Sequence, residues 1–146
     1  KELGIETAVI SREEMPRAEF LKAQTDLLEK HKIDLIILAG FLKKLPPEIV
    51  SRYDGRILNI HPALLPKFGG KGMHGMAVHR AVIEAGEEFS GPTVHFVDNR
   101  YDHGDILLQK KVKLEPGETP ESLQKKVLEV EHIIYAEAIK LLEERE

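Results

Sequence analysis

Asn59 and His61 stand two residues apart in Arg56-Ile57-Leu58-Asn59-Ile60-His61-Pro62, an apolar run that ends in polar side chains and a proline. A strand alternates its faces, so the two point the same way. An amide N–H can donate to a developing oxyanion, and an imidazole near its ordinary pKa of ~6.5 exchanges protons at neutral pH. Together they suit acyl transfer. A carboxylate beside the ring would orient it and support its charged form. The concentrated source is Asp98-Asn99-Arg100-Tyr101-Asp102-His103-Gly104-Asp105, a stretch of turn-forming residues between two apolar runs. On chemistry alone Asp98, Asp102 and Asp105 are equal candidates. The bland alternative, an Asn and a His that merely close a turn, is the commoner arrangement on these residues alone, and His95 reads either as a hydrogen-bonded core residue or as a third group facing Asn59 and His61.

Other constellations are weaker. Gly70-Lys71-Gly72-Met73-His74-Gly75 spells the dinucleotide fingerprint, but it follows a strand end near His61 only after a Pro-containing segment, whereas the fingerprint needs its first glycine at the strand end. A flexible turn or lid is the better reading. The acidic loop fails the calcium pattern, with Arg100 at the third position, His103 at the sixth and Gln109 at the twelfth when counted from Asp98. The histidines form no HExxH-like helix pair, so no metal is expected.

The elements that must position these groups read as an α/β class, with mostly parallel strands joined by flanking helices. Strands are expected at Thr7–Ile10, Asp34–Phe41, Arg56–His61, Thr93–Val97 and Ile106–Leu114. The Asp34–Phe41 run lacks polar alternation after its first residue, as for a central strand covered on both faces. Helices are expected over Arg17–His31, from Pro46-Pro47 to Tyr53, over His74–Ala85, and from a Thr119-Pro120 cap through Glu144. The last places Leu123, Val127, Val130, Ile134, Ala138 and Leu141 at helical spacing. Polar groups at the carboxyl end of a strand are where such folds bind ligands.

Composition sets the outer limits. At 146 residues the chain suits one domain, read here as a single catalytic domain over 1–146. Lys plus Arg number 21 against 25 Asp plus Glu, a net charge of −4 that argues against nucleic acid as a partner. No apolar run approaches a membrane span. Cysteine is absent, which removes thiolate chemistry and agrees with a cytoplasmic setting.

Three separated motifs, in order, carry a resemblance. They are Leu38-Ala39-Gly40-Phe41-Leu42-Lys43-Lys44-Leu45, then Leu58-Asn59-Ile60-His61-Pro62-Ala63-Leu64-Leu65-Pro66-Lys67-Phe68, then Val94-His95-Phe96-Val97 with Tyr101-Asp102-His103-Gly104-Asp105-Ile106-Leu107-Leu108-Gln109. Extended through Glu131-His132, the chain closely resembles the phosphoribosylglycinamide formyltransferases of purine biosynthesis. The resemblance implies a Rossmann-like formyltransferase fold and transfer of a formyl group from 10-formyltetrahydrofolate to the amine of glycinamide ribonucleotide, without a metal. It assigns Asn59, His61 and Asp102 as catalytic, with Asn59 and a protonated His61 on the oxyanion, and so separates Asp102 from its neighbours. It also places formyl folate against Leu42, Lys43, Lys44 and Leu45 and against Asp98 to Asp102, its carboxylate tail near Arg17, and the ribose of the ribonucleotide near Glu131.

Two departures from the family pattern qualify this. No strand and Gly-Asn-Gly-Ser-like phosphate loop precede Lys1, so the leading strand-loop-helix elements are expected to be missing, with weaker ribonucleotide binding and an exposed sheet edge open to homo-oligomer formation. The Phe68–His74 segment is longer than the family's usual turn. Competing expectations are another folate-dependent formyltransferase, of the methionyl-tRNA or sugar-nucleotide type, or a non-catalytic folate-binding module.

Overall fold

The computed structural model describes residues 3–145. They divide into two compact units, Lys1–Asp34 and Leu35–Glu146. In the first, a 3-10 turn at Arg12–Glu14 precedes helix α1, Arg17–Lys30. Its residues alternate long polar and apolar side chains, and Pro16 starts it because that position needs no amide hydrogen. Thr7–Ile10 is irregular rather than a strand, and Val9 is 94% exposed. Its β-branched residues find no partner strand among the described residues of this unit, and propensity without pairing does not make a strand.

The second unit carries the rest in the order β1 Ile36–Leu38, α2 Pro47–Arg52, β2 Ile57–His61, α3 Met76–Glu84, β3 Phe89–Ser90, β4 Thr93–Phe96, β5 Ile106–Gln109, β6 Val112–Lys113 and α4 Pro120–Arg145. Four strands form one sheet in the order β1-β2-β4-β5. The β1–β2 pairing is parallel and its crossover contains α2; the β2–β4 and β4–β5 pairings are antiparallel. The sheet is therefore mixed, with flanking helices. Antiparallel direction follows from the connection between β4 and β5, a polar loop with no crossover helix. Gly104 lies in that loop where an added Cβ would sit 1.7 Å from the Phe96 carbonyl oxygen, so the chain turns back tightly.

Two sequence expectations change. β1 is shorter than Asp34–Phe41 and, among the described residues, lies at the edge of the sheet, with Ile37 and Phe41 exposed. The Ile106–Leu114 run breaks into β5 and β6, and β6 leaves the main sheet to pair with β3. Gly91 explains the break: a Cβ there would meet the Lys110 carbonyl oxygen at 1.7 Å, and this close approach of backbones turns the chain from one sheet to the other.

The core lies between the sheet and α4. Leu58 and Val94 pack with Ile134 and Ala138, while Ala63, Val78 and Val82 pack with Leu123 and Val127. Four of the six apolar positions spaced along α4 are thus fully buried, and its start is capped by Thr119, whose hydroxyl accepts the Ser122 amide at 3.1 Å. α3 follows Gly75 and ends at Gly86, both with positive φ. No helix among the described residues is long and apolar enough to cross a membrane.

Candidate active site

The carboxyl end of β2 sets the site. Leu58 faces the core, so its neighbours alternate and Asn59 and His61 turn toward a cavity of about 1160 Å³. Its walls come from 38–45 after β1, 59–62, the Gly70–Gly75 stretch, 97–102 after β4, and one face of α4 with Leu128, Glu131, His132 and Tyr135. Registry does part of the positioning, because Asn59 pairs with His95 and His61 with Thr93 across β2 and β4. A buried network on Thr93 then fixes the chain leaving β2. The Thr93 hydroxyl donates to the Ala63 carbonyl at 2.7 Å and accepts from the Leu65 amide at 3.1 Å and the Gln109 side-chain amide at 2.9 Å.

Four side chains meet at the cavity floor. Asp102 Oδ1 lies 3.4 Å from His61 Nδ1 and 3.6 Å from His95 Nε2, and Asp102 Oδ2 accepts the Gly70 amide at 3.0 Å. The Asn59 amide nitrogen lies 3.3 Å from His95 Nε2. Backbone carbonyls select the tautomers: His61 Nε2 donates to the Phe68 carbonyl at 2.7 Å, and His95 Nδ1 donates to the Phe96 carbonyl at 2.9 Å. A neutral His61 therefore keeps its lone pair on Nδ1, on the side of Asp102. A neutral His95 accepts one Asn59 hydrogen and leaves the other for the cavity.

Electrostatics follow from this packing. Burial pushes the His61 pKa down; the Asp102 carboxylate and the Phe68 carbonyl oppose that, His95 adds to it, and the net direction is down. A ring 3% exposed has little water to solvate its charge, so burial is the largest influence on it. Burial alone would raise the Asp102 pKa, but the His95 contact, the charge of His61 and the Gly70 amide together hold it low. Glu131 is raised by burial, with His132 opposing.

Of the three equal carboxylates, only Asp102 joins the cluster. Asp98 lines the cavity, but its oxygens accept the Arg100 amide at 2.7 Å and His103 Nδ1 at 2.6 Å. Asp105 is exposed on the far side of the turn, where its carbonyl accepts the Phe96 amide at 2.8 Å. Leu42, Lys43, Lys44 and Leu45 all line the cavity, as does Glu131, and Lys44 lies 4.8 Å over the Tyr101 ring. Arg17 opens α1 in the other unit and stays an expectation about the cosubstrate tail. The fingerprint glycines form a loop between β2 and α3, and their first amide serves Asp102 rather than a phosphate.

Sequence reasoning missed Tyr135, whose hydroxyl reaches the Leu38 and Leu58 carbonyls and ties α4 to β1 and β2 at the cavity wall. Its position four residues after Glu131 on one helix face was the available signal. The backbone of Phe68 and Gly70 was missed as well, and no side-chain pattern announces it. Among the described residues no group of three or more His, Asp or Glu is arranged to hold a metal ion.

Comparison with known proteins agrees with the fold. Residues 1–139 match the formyl transferase family. The chain is 53% identical over 114 residues, 78% of its length, to the phosphoribosylglycinamide formyltransferase, chloroplastic, of Arabidopsis thaliana. It covers 39% of that relative and of the one from Vigna unguiculata, so it spans about two fifths of these plant proteins. Among solved structures, phosphoribosylglycinamide formyltransferase from Streptococcus pneumoniae superposes with a TM-score of 0.86 at 35% identity, with 97% of this chain and 76% of that chain covered. The enzyme of that name from Brucella melitensis gives 0.87 at 37% identity, covering 97% and 70%. This chain belongs to the formyl transferase family.

Proposed function

We propose that this chain transfers a formyl group from 10-formyltetrahydrofolate to the amine of glycinamide ribonucleotide, a step of purine biosynthesis, with Asn59, His61 and Asp102 as the catalytic groups. The observation that carries the reading is the meeting of these three on His95 at the floor of one large cavity. Its volume, about 1160 Å³, exceeds the usual single-ligand range, which supports two substrates bound side by side. The Leu42–Leu45 and Asp98–Asp102 segments form the walls proposed for the folate, and Glu131 the contact proposed for the ribose.

The steps follow from the geometry. The amine attacks the formyl carbon, a C–N bond forms, and the carbonyl oxygen becomes an oxyanion. The Asn59 hydrogen not taken by His95 donates to that oxyanion. His61, neutral at rest, accepts the amine proton at Nδ1, and the Asp102 carboxylate pairs with the imidazolium so formed. The intermediate collapses by breaking the bond to the folate nitrogen, which leaves with the proton returned by His61. The cytoplasm is the proposed compartment, beside a plant relative named chloroplastic, and fractionation of cells expressing the protein decides between them.

The test is to supply this chain with both substrates and follow deformylated folate by absorbance and the formylated ribonucleotide by mass. Production of both supports the reading. Folate binding without product would instead favour a non-catalytic folate-binding module.

A further inference from the structure

The segment Phe68–Gly70 contributes only Gly70 to the cavity wall, yet it touches both members of the proposed proton-handling pair. The Phe68 carbonyl accepts His61 Nε2–H at 2.7 Å, and two residues later the Gly70 amide donates to Asp102 Oδ2 at 3.0 Å. One anchor and one anchored residue sit on unusual backbone: Phe68 has φ of 57° and Asp102 has φ of 51°, conformations a surrounding structure must enforce. Between them Gly69 passes so close that a Cβ would lie 2.6 Å from Leu65 Cδ2 and 3.2 Å from Asp102 Cβ.

We propose that Gly69 is a positioning residue. By lacking a side chain, it lets one three-residue stretch of backbone hold His61 by its proton-bearing nitrogen and Asp102 by its second oxygen, fixing the distance and tautomer on which their partnership depends.

The geometry distinguishes this from ordinary tight packing. The Leu65 methyl is the end of a flexible side chain and can shift, but Asp102 Cβ is held by a left-handed backbone and a bound carboxylate. An alanine at 69 therefore moves the loop outward, and both anchoring hydrogen bonds lengthen together. His61 is faced by Asp102, by His95 of β4 and, through their electrostatic interaction, by His79 of α3; Asp102 is faced by His61, His95 and the Gly70 amide. Of all these, only the loop contacts change. The Phe68 carbonyl supports the charged ring and the Gly70 amide the charged carboxylate. Losing both shifts His61 protonation to lower pH and Asp102 protonation to higher pH.

The kinetic half of the test rests on the formyl-transfer reading; the spectroscopic half does not. The His61 ring and the Gly70 amide are followed by NMR through a pH titration in the wild-type chain, Gly69→Ala, Asp102→Asn and Gly86→Ala. Gly86, unlike Gly69, has positive φ, at 68°, and an added Cβ there meets nothing within 4 Å, so its alanine variant adds backbone strain without a steric contact and controls for general destabilisation. In the wild type the Gly70 amide should report an acid inflection from Asp102, absent in Asp102→Asn. Gly69→Ala should lose it and lower the His61 midpoint, while Gly86→Ala should keep both. In turnover, Gly69→Ala should lower kcat by ~10²-fold with little change in KM, and move the acid limb of the rate profile to lower pH. A folded Gly69→Ala with wild-type midpoints would overturn the proposal, as would a wild-type Gly70 amide blind to Asp102, a measurement that decides even if the variant does not fold. A wild-type chain that transfers no formyl group refutes the assigned reaction instead, and the titrations still judge the positioning role.

Discussion

Asp102→Asn isolates the charge of the carboxylate, because the amide oxygen of asparagine can still accept the Gly70 amide and the shape is retained. In the proposed reaction His61 becomes cationic with Nδ1 at 3.4 Å from Asp102 Oδ1. Unit charges at that distance attract by about 1.2 kcal/mol in a water-like dielectric and about 5 kcal/mol at an effective dielectric near 20. The lower figure applies if the cavity stays wet and the higher once both substrates exclude water. Loss of that attraction in the transition state corresponds to a fall in kcat of about eightfold to about 4000-fold. The ring also becomes less basic, since the carboxylate is what opposes the effect of burial, so the acid limb of kcat/KM moves to lower pH while the plateau falls. The assay is the folate absorbance change across the pH range, under saturating substrates for kcat and with substrate well below KM for kcat/KM. A loss of about threefold or less with an unmoved acid limb would refute the reasoning, because a charge at this distance cannot be kinetically silent if the ring is protonated during turnover.

Asn59→Ala should reduce kcat by ~10²-fold or more at wild-type folding stability, as judged by parallel assays of rate and denaturant midpoint; a tenfold or smaller loss would remove Asn59 from the oxyanion. Thr93→Val leaves the buried Leu65 amide and Ala63 carbonyl without their partner and should cost about 1 to 3 kcal/mol in urea unfolding, with an unchanged midpoint counting against the network. Stability should also fall as the pH drops below ~6.5, because burial lowers the pKa of both His61 and His79, and the unfolded chain then binds more protons than the folded one. Asp102, held low, adds a further loss in the carboxylate range as pH falls toward its folded pKa. Replacing His79 by leucine should flatten the first decline in thermal melts, and an identical slope would show that His79 contributes nothing to it.

Much of this arrangement is legible in the residues and the rest has definite reasons for being hidden. Alternation alone put Asn59 and His61 on one face, and the α4 spacing marked Leu123, Val127, Ile134 and Ala138 as its buried side. Strand direction and neighbours are different, since β1 has the same apolar letters whether it ends in the middle or at the edge of a sheet, and pairing is decided by distant segments. Thr7–Ile10 shows the same limit. Choosing Asp102 over Asp98 and Asp105 needed either the family resemblance or coordinates, because one turn of irregular backbone sends three similar side chains to a buried floor, a surface histidine and solvent. The anchors from Phe68 and Gly70 are peptide groups, which every residue possesses, so the glycine run reads as a flexible turn until the clash a side chain at 69 would create is measured.

Whether His61 moves the proton of a formyl transfer is measured directly by turnover of 10-formyltetrahydrofolate with glycinamide ribonucleotide in the wild-type chain and in His61→Ala. Turnover in the first, reduced by ~10²-fold or more in a folded His61→Ala, is the predicted result. A His61→Ala chain that matches the wild-type rate would contradict it.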